Sequence, residues 1–313
     1  MMISQARHQA QQSQAKVKAT KPKYRQGVLG FLLLLPSVLV LGVFVFYPMV
    51  KTLWLSTQLT DLAGHPIKFI GLRNFRNLIL SDSFITSFTV TVVFVVFTTF
   101  LTIIISYMLA IFASQRIRGI AVFRTIFSST MGVSVTVASI LWLFIFNPQI
   151  GLLSKLLSQL HLPPINWLSD PIWSLVAIIG TTVWMNLGFA FLVLLGAIQA
   201  ISEDLYRVAD LDGASKLLRL RKITLPATKP TTFFVTVVTL INAFQTFGQV
   251  DILTAGGPDY HTNLLVYAIY QDAFVNHSVG RASAQSVILT LIIMLCTVIQ
   301  FRVNKRRADK NAK

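Results

Sequence analysis

Residues 202–226 read SEDLYRVADLDGASKLLRLRKITLP, and they form a long, highly charged segment in the second half of the chain. Acidic residues are scarce, with 11 in the whole protein, yet four of them lie within ten positions here: Glu203, Asp204, Asp210 and Asp212. Long apolar runs flank the segment on both sides. A charged, helix-patterned segment between two apolar runs is a candidate contact surface for a partner outside a membrane.

The composition of the chain is that of an integral membrane protein. Of 313 residues, 54% are hydrophobic and 12% are charged, whereas a soluble domain carries about 25% charged residues. The formal net charge of +16 first suggests nucleic acid. However, the basic residues form short clusters beside apolar runs, as the positive-inside rule requires, so we expect no nucleic-acid partner. The single cysteine, Cys296, excludes an intrachain disulfide.

Six apolar runs are long enough to cross a bilayer, whose hydrocarbon core needs about 20 residues of helix. They are residues 28–50, 84–113, 120–146, 172–200, 230–255 and 282–303. The first run exceeds the roughly 7–15 apolar residues of a signal peptide and has no A-x-A cleavage site near its end, so we expect it to be retained. The predicted fold is all-α: a six-helix transmembrane domain over residues 28–303, between cytoplasmic basic tails at 1–27 and 304–313.

The basic residues also orient these spans. Loops 114–119 and 201–229 are rich in Lys and Arg, whereas loops 147–171 and 256–281 carry one basic residue each. Loop 51–83 is an exception, because its four basic residues are only partly offset by acids. Since positive segments stay inside, the charged segment and both termini are predicted to face the cytoplasm.

Amide side chains mark a candidate solute path. No ionisable residue lies near the middle of the spans, which argues against ion-coupled transport. Asn186 lies in the fourth run, and Asn242, Gln245 and Gln249 are spaced i, i+3, i+7 in the fifth, so they share one face of a continuous helix. Such a stripe suits an uncharged, hydroxyl-rich solute such as a sugar. Hydrogen bonding between helices in a dry bundle is the alternative, and the sequence leaves both open.

The charged segment carries the signals of two short helices. Ser202 can cap the first, Gly213 can end it in the left-handed conformation, and Ser215 can cap the second, which Pro226 is expected to limit. The apolar face of the first helix consists of Leu205, Val208 and Ala209. A loop lying on the membrane surface is the alternative. The acidic residues disfavour anionic lipid, so a protein partner is the better interpretation.

The spacing A-x3-G-x9-I-x-L-P over residues 209–226 resembles the signature loop of inner-membrane permease subunits of binding-protein-dependent ABC importers. The resemblance extends to residues 31–48, 69–75 (FIGLRNF), 256–258 (GGP) and 268–274 (AIYQDAF), and so covers most of the transmembrane domain. These segments look like the carbohydrate-importing branch, and like the first of its two paired permeases.

This resemblance implies a type I importer fold in the bacterial cytoplasmic (inner) membrane, with both termini inside. The chain would form half of the pathway for a sugar. Its partners would be a second permease subunit, two cytosolic ATP-binding subunits that use the ATP, an extracellular solute-binding protein and membrane lipid. The loop at 202–229 would be the coupling element that seats in a cleft of the ATPase. The coupling residues implied are Glu203, Asp204, Arg207, Val208, Ala209, Asp210, Asp212, Gly213, Ile223, Leu225 and Pro226.

One position departs from the family pattern, because the family's leading Glu-Ala falls here on Arg207 and Val208. If that Glu usually pairs with a basic residue of the ATPase, this subunit needs another contact. Glu203, Asp204 or Asp210 can substitute, or the partner's surface differs.

Other functions remain open at this point. Glycerol-3-phosphate or a polyol is the alternative cargo, although a phosphate favours Arg or Lys in the path and none lies in mid-membrane. A membrane-embedded enzyme is less favoured, because the sequence has no G-x-x-x-x-G-K-[ST] loop, no H-E-x-x-H or G-x-S-x-G motif and no cluster with metal-ligand spacing. We expect no metal and no cofactor of its own. A channel is also less favoured, because it would not need the loop at 202–229 as a contact for an ATPase.

Overall fold

The computed structural model describes residues 24–115 and 117–311, and most of this part of the chain is helical. Residues 1–23 of the predicted N-terminal tail, and residues 312–313 of the predicted C-terminal tail, lie outside the described residues. The chain divides into an N-terminal unit, residues 1–51, and a larger unit, residues 52–313.

The N-terminal segment is one long helical run. Helix α1 (Tyr24–Leu41) passes through a single π-helical turn, Gly42–Phe46, into α2 (Tyr47–Leu55). The stretch Gly30–Leu55 is long and apolar enough to cross a membrane. Its apolar side chains are mostly exposed, as expected for a helix whose surroundings are lipid or another subunit.

The larger unit contains a small hairpin followed by helices. In chain order its elements are β1 (Gln58–Thr60), β2 (Pro66–Phe69), α3 (Arg73–Ile79), α4 (Asp82–Ala113), α5 (Ile120–Ser129), α6 (Val135–Phe146), α7 (Leu152–Gln159), α8 (Pro171–Gln199), α9 (Glu203–Leu211), α10 (Lys216–Arg219), α11 (Leu225–Phe244), α12 (Gly248–Leu253), α13 (Leu265–Tyr270) and α14 (Val279–Asn311).

The hairpin is tied to the end of the bundle. Strands β1 and β2 pair antiparallel. The turn between them is closed by Asp61, whose carboxylate accepts the backbone N–H of His65 at 2.7 Å; that hydrogen bond lowers the pKa of Asp61. Asn74 donates from Nδ2 to the carbonyl oxygens of Ser56 and Gln58, each at 2.9 Å. The hairpin is therefore held against α3 within the larger unit.

Helices α4, α8 and α11 pack against one another and form the centre of the bundle. The buried side of α4 is rich in small hydroxyl residues: Ser87, Thr91, Thr98, Thr102 and Ser106. Small side chains let membrane helices approach closely. Asp170 caps the start of α8 by accepting the backbone N–H groups of Ile172 and Trp173 at 2.9 and 3.0 Å.

The predicted span 120–146 is not one helix. Helices α5 and α6 meet at a bend of 110°, across a 3₁₀ turn at Thr130–Gly132. Ser134 caps α6 by accepting the N–H of Val137 at 3.3 Å. The turn sits directly on Gly188 of α8, where a Cβ would lie 2.5 Å from Thr130 Oγ1. The break therefore occurs where the turn contacts another helix closely. The pattern of apolar residues in the sequence does not predict such a contact.

The predicted span 230–255 is also broken. Helix α11 starts earlier, at Leu225, and ends at Phe244, and α12 follows after a short irregular stretch. At Gly248 a Cβ would lie 2.7 Å from Val135 Cγ1, so the start of α12 contacts the start of α6. The prediction that Asn242, Gln245 and Gln249 share one face of a continuous helix is therefore wrong.

Among the described residues, four helices are long and apolar enough to cross a membrane, or five if the bent pair α5–α6 counts as one span. The fifth predicted span, 230–255, falls below this threshold, because α11 carries Lys229, Pro230 and several threonines. The last span is longer than predicted, since α14 continues to Asn311.

Candidate functional site

The charged loop folds as two helices joined by a glycine. Ser202 Oγ accepts the N–H of Asp204 at 3.3 Å at the start of α9. Ser215 Oγ accepts the N–H of Leu218 at 3.3 Å at the start of α10. Gly213, between them, has a φ of +67°, a left-handed conformation that side chains with a Cβ disfavour. These local features match the sequence prediction.

Pro226 does not limit the second helix, and that expectation is wrong. Helix α10 passes through a π-helical turn, Leu220–Thr224, directly into α11. Pro226 occupies the first turn of α11, where a missing N–H is tolerated. Of the other predicted contact residues here, Ile223 is partly buried and Leu225 is exposed.

The apolar face of α9 is only partly buried in the protein. Ala209 is buried, whereas Leu205 and Val208 are more than half exposed. Two leucines that the sequence analysis did not single out extend the exposed surface: Leu211, at 88% exposure, and Leu217, at 73%. Their positions in the sequence, on either side of the predicted turn at Gly213, could have identified them. These exposed apolar side chains are available for contact with a partner.

Three acidic residues of this surface form ion pairs within the loop. Arg207 lies 3.6 Å from Glu203 and 3.4 Å from Asp204. Asp210 pairs with Arg219 of α10, and Asp212 is exposed at the end of α9. Exposed ion pairs contribute little to stability, so a partner can exchange them at low cost. Beneath this surface, the Tyr206 hydroxyl contacts Thr224 Oγ1 at 2.9 Å and ties α9 to the start of α11.

The two helix breaks meet around a cavity of about 380 Å³, which we call the inner cavity. It brings together all four residues of the predicted solute path: Asn186, Asn242, Gln245 and Gln249. Asn186 reaches it from the middle of α8, while the other three come from the end of α11, the break and α12. The amide side chains that were predicted to lie along one helix thus surround a cavity and come from several elements.

The remaining lining is uncharged. Among the described residues, the other side chains lining the inner cavity are hydroxyl, thioether, aliphatic or aromatic: Thr130, Met131, Val133, Val135, Thr182, Met185, Thr246 and Phe247. Gln249 is mostly buried and donates from Nε2 to Met185 Sδ at 3.4 Å. A thioether is a weak acceptor, so this amide keeps hydrogen-bonding capacity for a solute. Thr182 Oγ1 is buried without a partner in the described part of the chain.

Residues 102–309 match the family described as binding-protein-dependent transport system inner membrane component. The chain belongs to this family. It is a permease subunit of an ABC importer and a multi-pass protein of the inner membrane, and it is a transport subunit rather than an enzyme, since the ATPase of such importers is a separate subunit.

Curated relatives of this permease cover almost its whole length. The sn-glycerol-3-phosphate transport system permease protein UgpA of Agrobacterium fabrum is 36% identical over 283 residues, which is 90% of this chain and 96% of the relative. The UgpA protein of Pectobacterium atrosepticum is 34% identical over 292 residues, which is 93% of this chain and 99% of the relative.

The fold also matches a solved transporter. A chain of a bacterial ABC transporter involved in the import of the acidic polysaccharide alginate superposes with a TM-score of 0.77 at 21% identity, covering 90% of this permease and 96% of that chain. The same match holds for that transporter in complex with an alginate pentasaccharide-bound periplasmic protein. The type I permease fold expected from the sequence is confirmed.

Proposed function

We propose that this permease forms half of the translocation pathway for a neutral sugar, with the inner cavity as its solute site. The observation that carries the proposal is the meeting of Asn186, Asn242, Gln245 and Gln249 around one uncharged cavity. Amides donate and accept hydrogen bonds, and this suits the hydroxyl groups of a sugar. Phe247 adds an aromatic surface, which is common in pockets with a few oriented polar groups.

A second candidate cargo is sn-glycerol 3-phosphate or a related polyol. It is favoured by the names of the relatives at 34–36% identity. Recognition of a phosphate relies on cationic side chains, and none lines the inner cavity among the described residues. The second permease subunit or the solute-binding protein would then have to supply the cation, which makes this the weaker candidate for this chain.

The proposed coupling site is the exposed surface of residues 202–229. We infer that it docks on a cytosolic ATP-binding subunit, two of which serve the importer together with a second permease and an extracellular solute-binding protein. Three properties support this: exposed leucines, ion pairs that can be exchanged, and a continuous helical connection through the π-helical turn into α11. Because α11 ends at the inner cavity, movement of the loop can reach the solute site.

The test is ATP-dependent uptake by the assembled importer in proteoliposomes. The panel contains labelled mono-, di- and trisaccharides, sorbitol and sn-glycerol 3-phosphate. We expect uptake of at least one saccharide that an excess of sn-glycerol 3-phosphate does not inhibit. Uptake of sn-glycerol 3-phosphate without any saccharide would refute the sugar assignment. Uptake that persists when the Walker lysine of the ATPase is replaced would refute coupling.

A further inference from the structure

A second cavity, of about 620 Å³, is lined by residues of the loop 256–281, which is predicted to face outward, and of the helices beside it. We call it the outer cavity. Its walls come from the starts of α4 and α14, the Gly256–Gly257 turn and one face of α13. None of the residues predicted from the sequence as a solute path lines it, and the proposed function does not use it.

Two buried amides present unused acceptors at this cavity. Gln285 is 2% exposed; its Nε2 donates to Asp272 at 2.8 Å, and its Oε1 has no partner in the described part of the chain. Asn263 is 7% exposed; its Nδ2 donates to Ser87 Oγ at 3.1 Å, and its Oδ1 likewise lacks a partner among the described residues. In both residues the amide nitrogen donates a hydrogen bond, whereas the amide oxygen accepts none among the described residues.

Buried polar atoms are nearly always hydrogen-bonded, so two unpaired oxygens lining one cavity call for a ligand with donors. Both amides are held in one orientation by their own N–H bonds. Hydroxyl groups supply such donors. The required chemistry is therefore a polyhydroxyl compound, and it matches the lining of the inner cavity.

The lining of the outer cavity includes two acidic residues, Asp259 and Asp272, and one basic residue, Arg281, and this excess of negative charge disfavours an anionic ligand. Asp272 is buried, accepts from Asn276 Nδ2 at 3.0 Å, and lies 3.0 Å from Arg281 Nε. A cation would have to compete with Arg281, Asn276 and Gln285 for the Asp272 carboxylate.

Aromatic rings connect the two cavities. Tyr267 lines the outer cavity and Phe247 lines the inner one, and their ring centroids are 5.7 Å apart. Tyr270 lies 5.0 Å from Phe247 and extends the same surface. Aromatic faces offer apolar contact without fixed hydrogen bonds, so a ring-shaped solute can shift along them between the two sets of amides.

We propose that the outer cavity is a second binding site, which holds a neutral sugar before it passes along Tyr267 and Phe247 into the inner cavity. The inference rests on the proposed function for the chemical class of the cargo. The competing possibility is a void that only contains solvent and stabilises the Asp272 network.

Filling the cavity separates these possibilities. Ala268 lines the outer cavity, and Ala268→Phe should reduce saccharide uptake at least tenfold while the subunits still co-purify. Ala273, in the following turn, does not line it, and Ala273→Phe should keep most of the uptake. A solvent-filled void predicts that Ala268→Phe is harmless, and wild-type uptake in this variant would refute the proposal.

Protection of a cysteine gives a second test that does not depend on how Ala268→Phe folds. In a Cys296→Ser background, Ser83→Cys places a thiol at the exposed rim of the outer cavity, and Asp82→Cys places one beside it but outside the lining. Modification by a methanethiosulfonate reagent is followed with each compound of the uptake panel added together with the solute-binding protein. The transported saccharide should slow the reaction at position 83 at least threefold and leave position 82 unchanged.

The outcomes of the two proposals are distinguishable. Uptake of sn-glycerol 3-phosphate alone refutes the sugar assignment itself. Saccharide uptake with equal reaction rates at position 83, in the presence and absence of the saccharide, refutes the outer site and leaves the proposed function standing.

Discussion

The charged loop at residues 202–229 and the inner cavity show two different ways in which a sequence determines a site. The loop is built from neighbours in the chain: Ser202, Gly213 and Ser215 each act within a few residues. The inner cavity is built from residues far apart in the chain, around two helix breaks that contact one another. Loop substitutions should therefore act through local backbone geometry, and cavity substitutions through packing and hydrogen bonding across helices.

The largest effect is expected at the glycine of the loop. Gly213→Val should reduce uptake to background and abolish association with the ATPase, because a β-branched residue is strongly disfavoured at a φ of +67°. No atom lies within 4 Å of an added Cβ, so the effect comes from backbone conformation rather than a clash. Uptake and co-purification with the ATPase measure it.

Asparagine is the matched control, since it tolerates the left-handed conformation. Gly213→Asn should retain more uptake than Gly213→Asp, which in turn should be severely impaired by the added charge on the docking surface. Wild-type ATPase association in Gly213→Val would show that the loop geometry is not the coupling element.

The second prediction concerns the amides of the inner cavity. Gln245→Leu combined with Gln249→Leu should reduce uptake at least tenfold, because the cavity loses hydrogen-bonding groups while its shape is largely kept. Assembly with the ATPase should persist. Gln300→Leu is the control, since Gln300 lies outside this cavity. Unchanged transport in the double variant would remove both residues from the path.

The third prediction tests the packing of the break between α5 and α6. Gly188→Ala should destabilise the permease by about 1–3 kcal/mol, as overpacking does, because its Cβ would lie 2.5 Å from Thr130 Oγ1 and 2.7 Å from the Met131 nitrogen. Gly180→Ala and Gly196→Ala lie on the same helix with nothing within 4 Å and should be neutral. Thermal unfolding in detergent compares the three. Equal midpoints would contradict the close contact.

The smallest effect is expected at the position that departs from the family pattern. Arg207→Glu loses two exposed ion pairs, with Glu203 and Asp204, so uptake should change by less than about threefold at physiological salt. ATPase association measured at low and high salt is the sensitive assay. A tenfold or larger loss would show that Arg207 itself contacts the partner.

The sequence predicted the local structure of the loop better than that of the inner cavity. It located the loop and its caps, because cap residues and a left-handed glycine depend on short-range backbone geometry. It identified the four amides of the inner cavity but placed three of them on one continuous helix. The breaks at Thr130–Gly132 and after Phe244 were missed, since they accompany contacts at Gly188 and Gly248 with residues distant in the chain.

Similarly, the unpaired oxygens of Asn263 and Gln285 could not be recognised in advance. Asn263 lies in the predicted loop 256–281 and Gln285 lies near the start of the last apolar run, and only the fold shows that their amide nitrogens donate while their oxygens have no partner in the described part of the chain. The pairing of Asp272 with Arg281 is likewise a contact between separate elements.

The most direct test of the account is the position of the solute in the assembled importer during turnover, determined by cryo-electron microscopy with the saccharide identified by uptake. We expect density for the sugar between Asn186, Asn242, Gln245 and Gln249, within hydrogen-bond distance of at least two of these amides. A pathway whose solute lies elsewhere, with the four amides bonded to one another across a closed cavity, would contradict it.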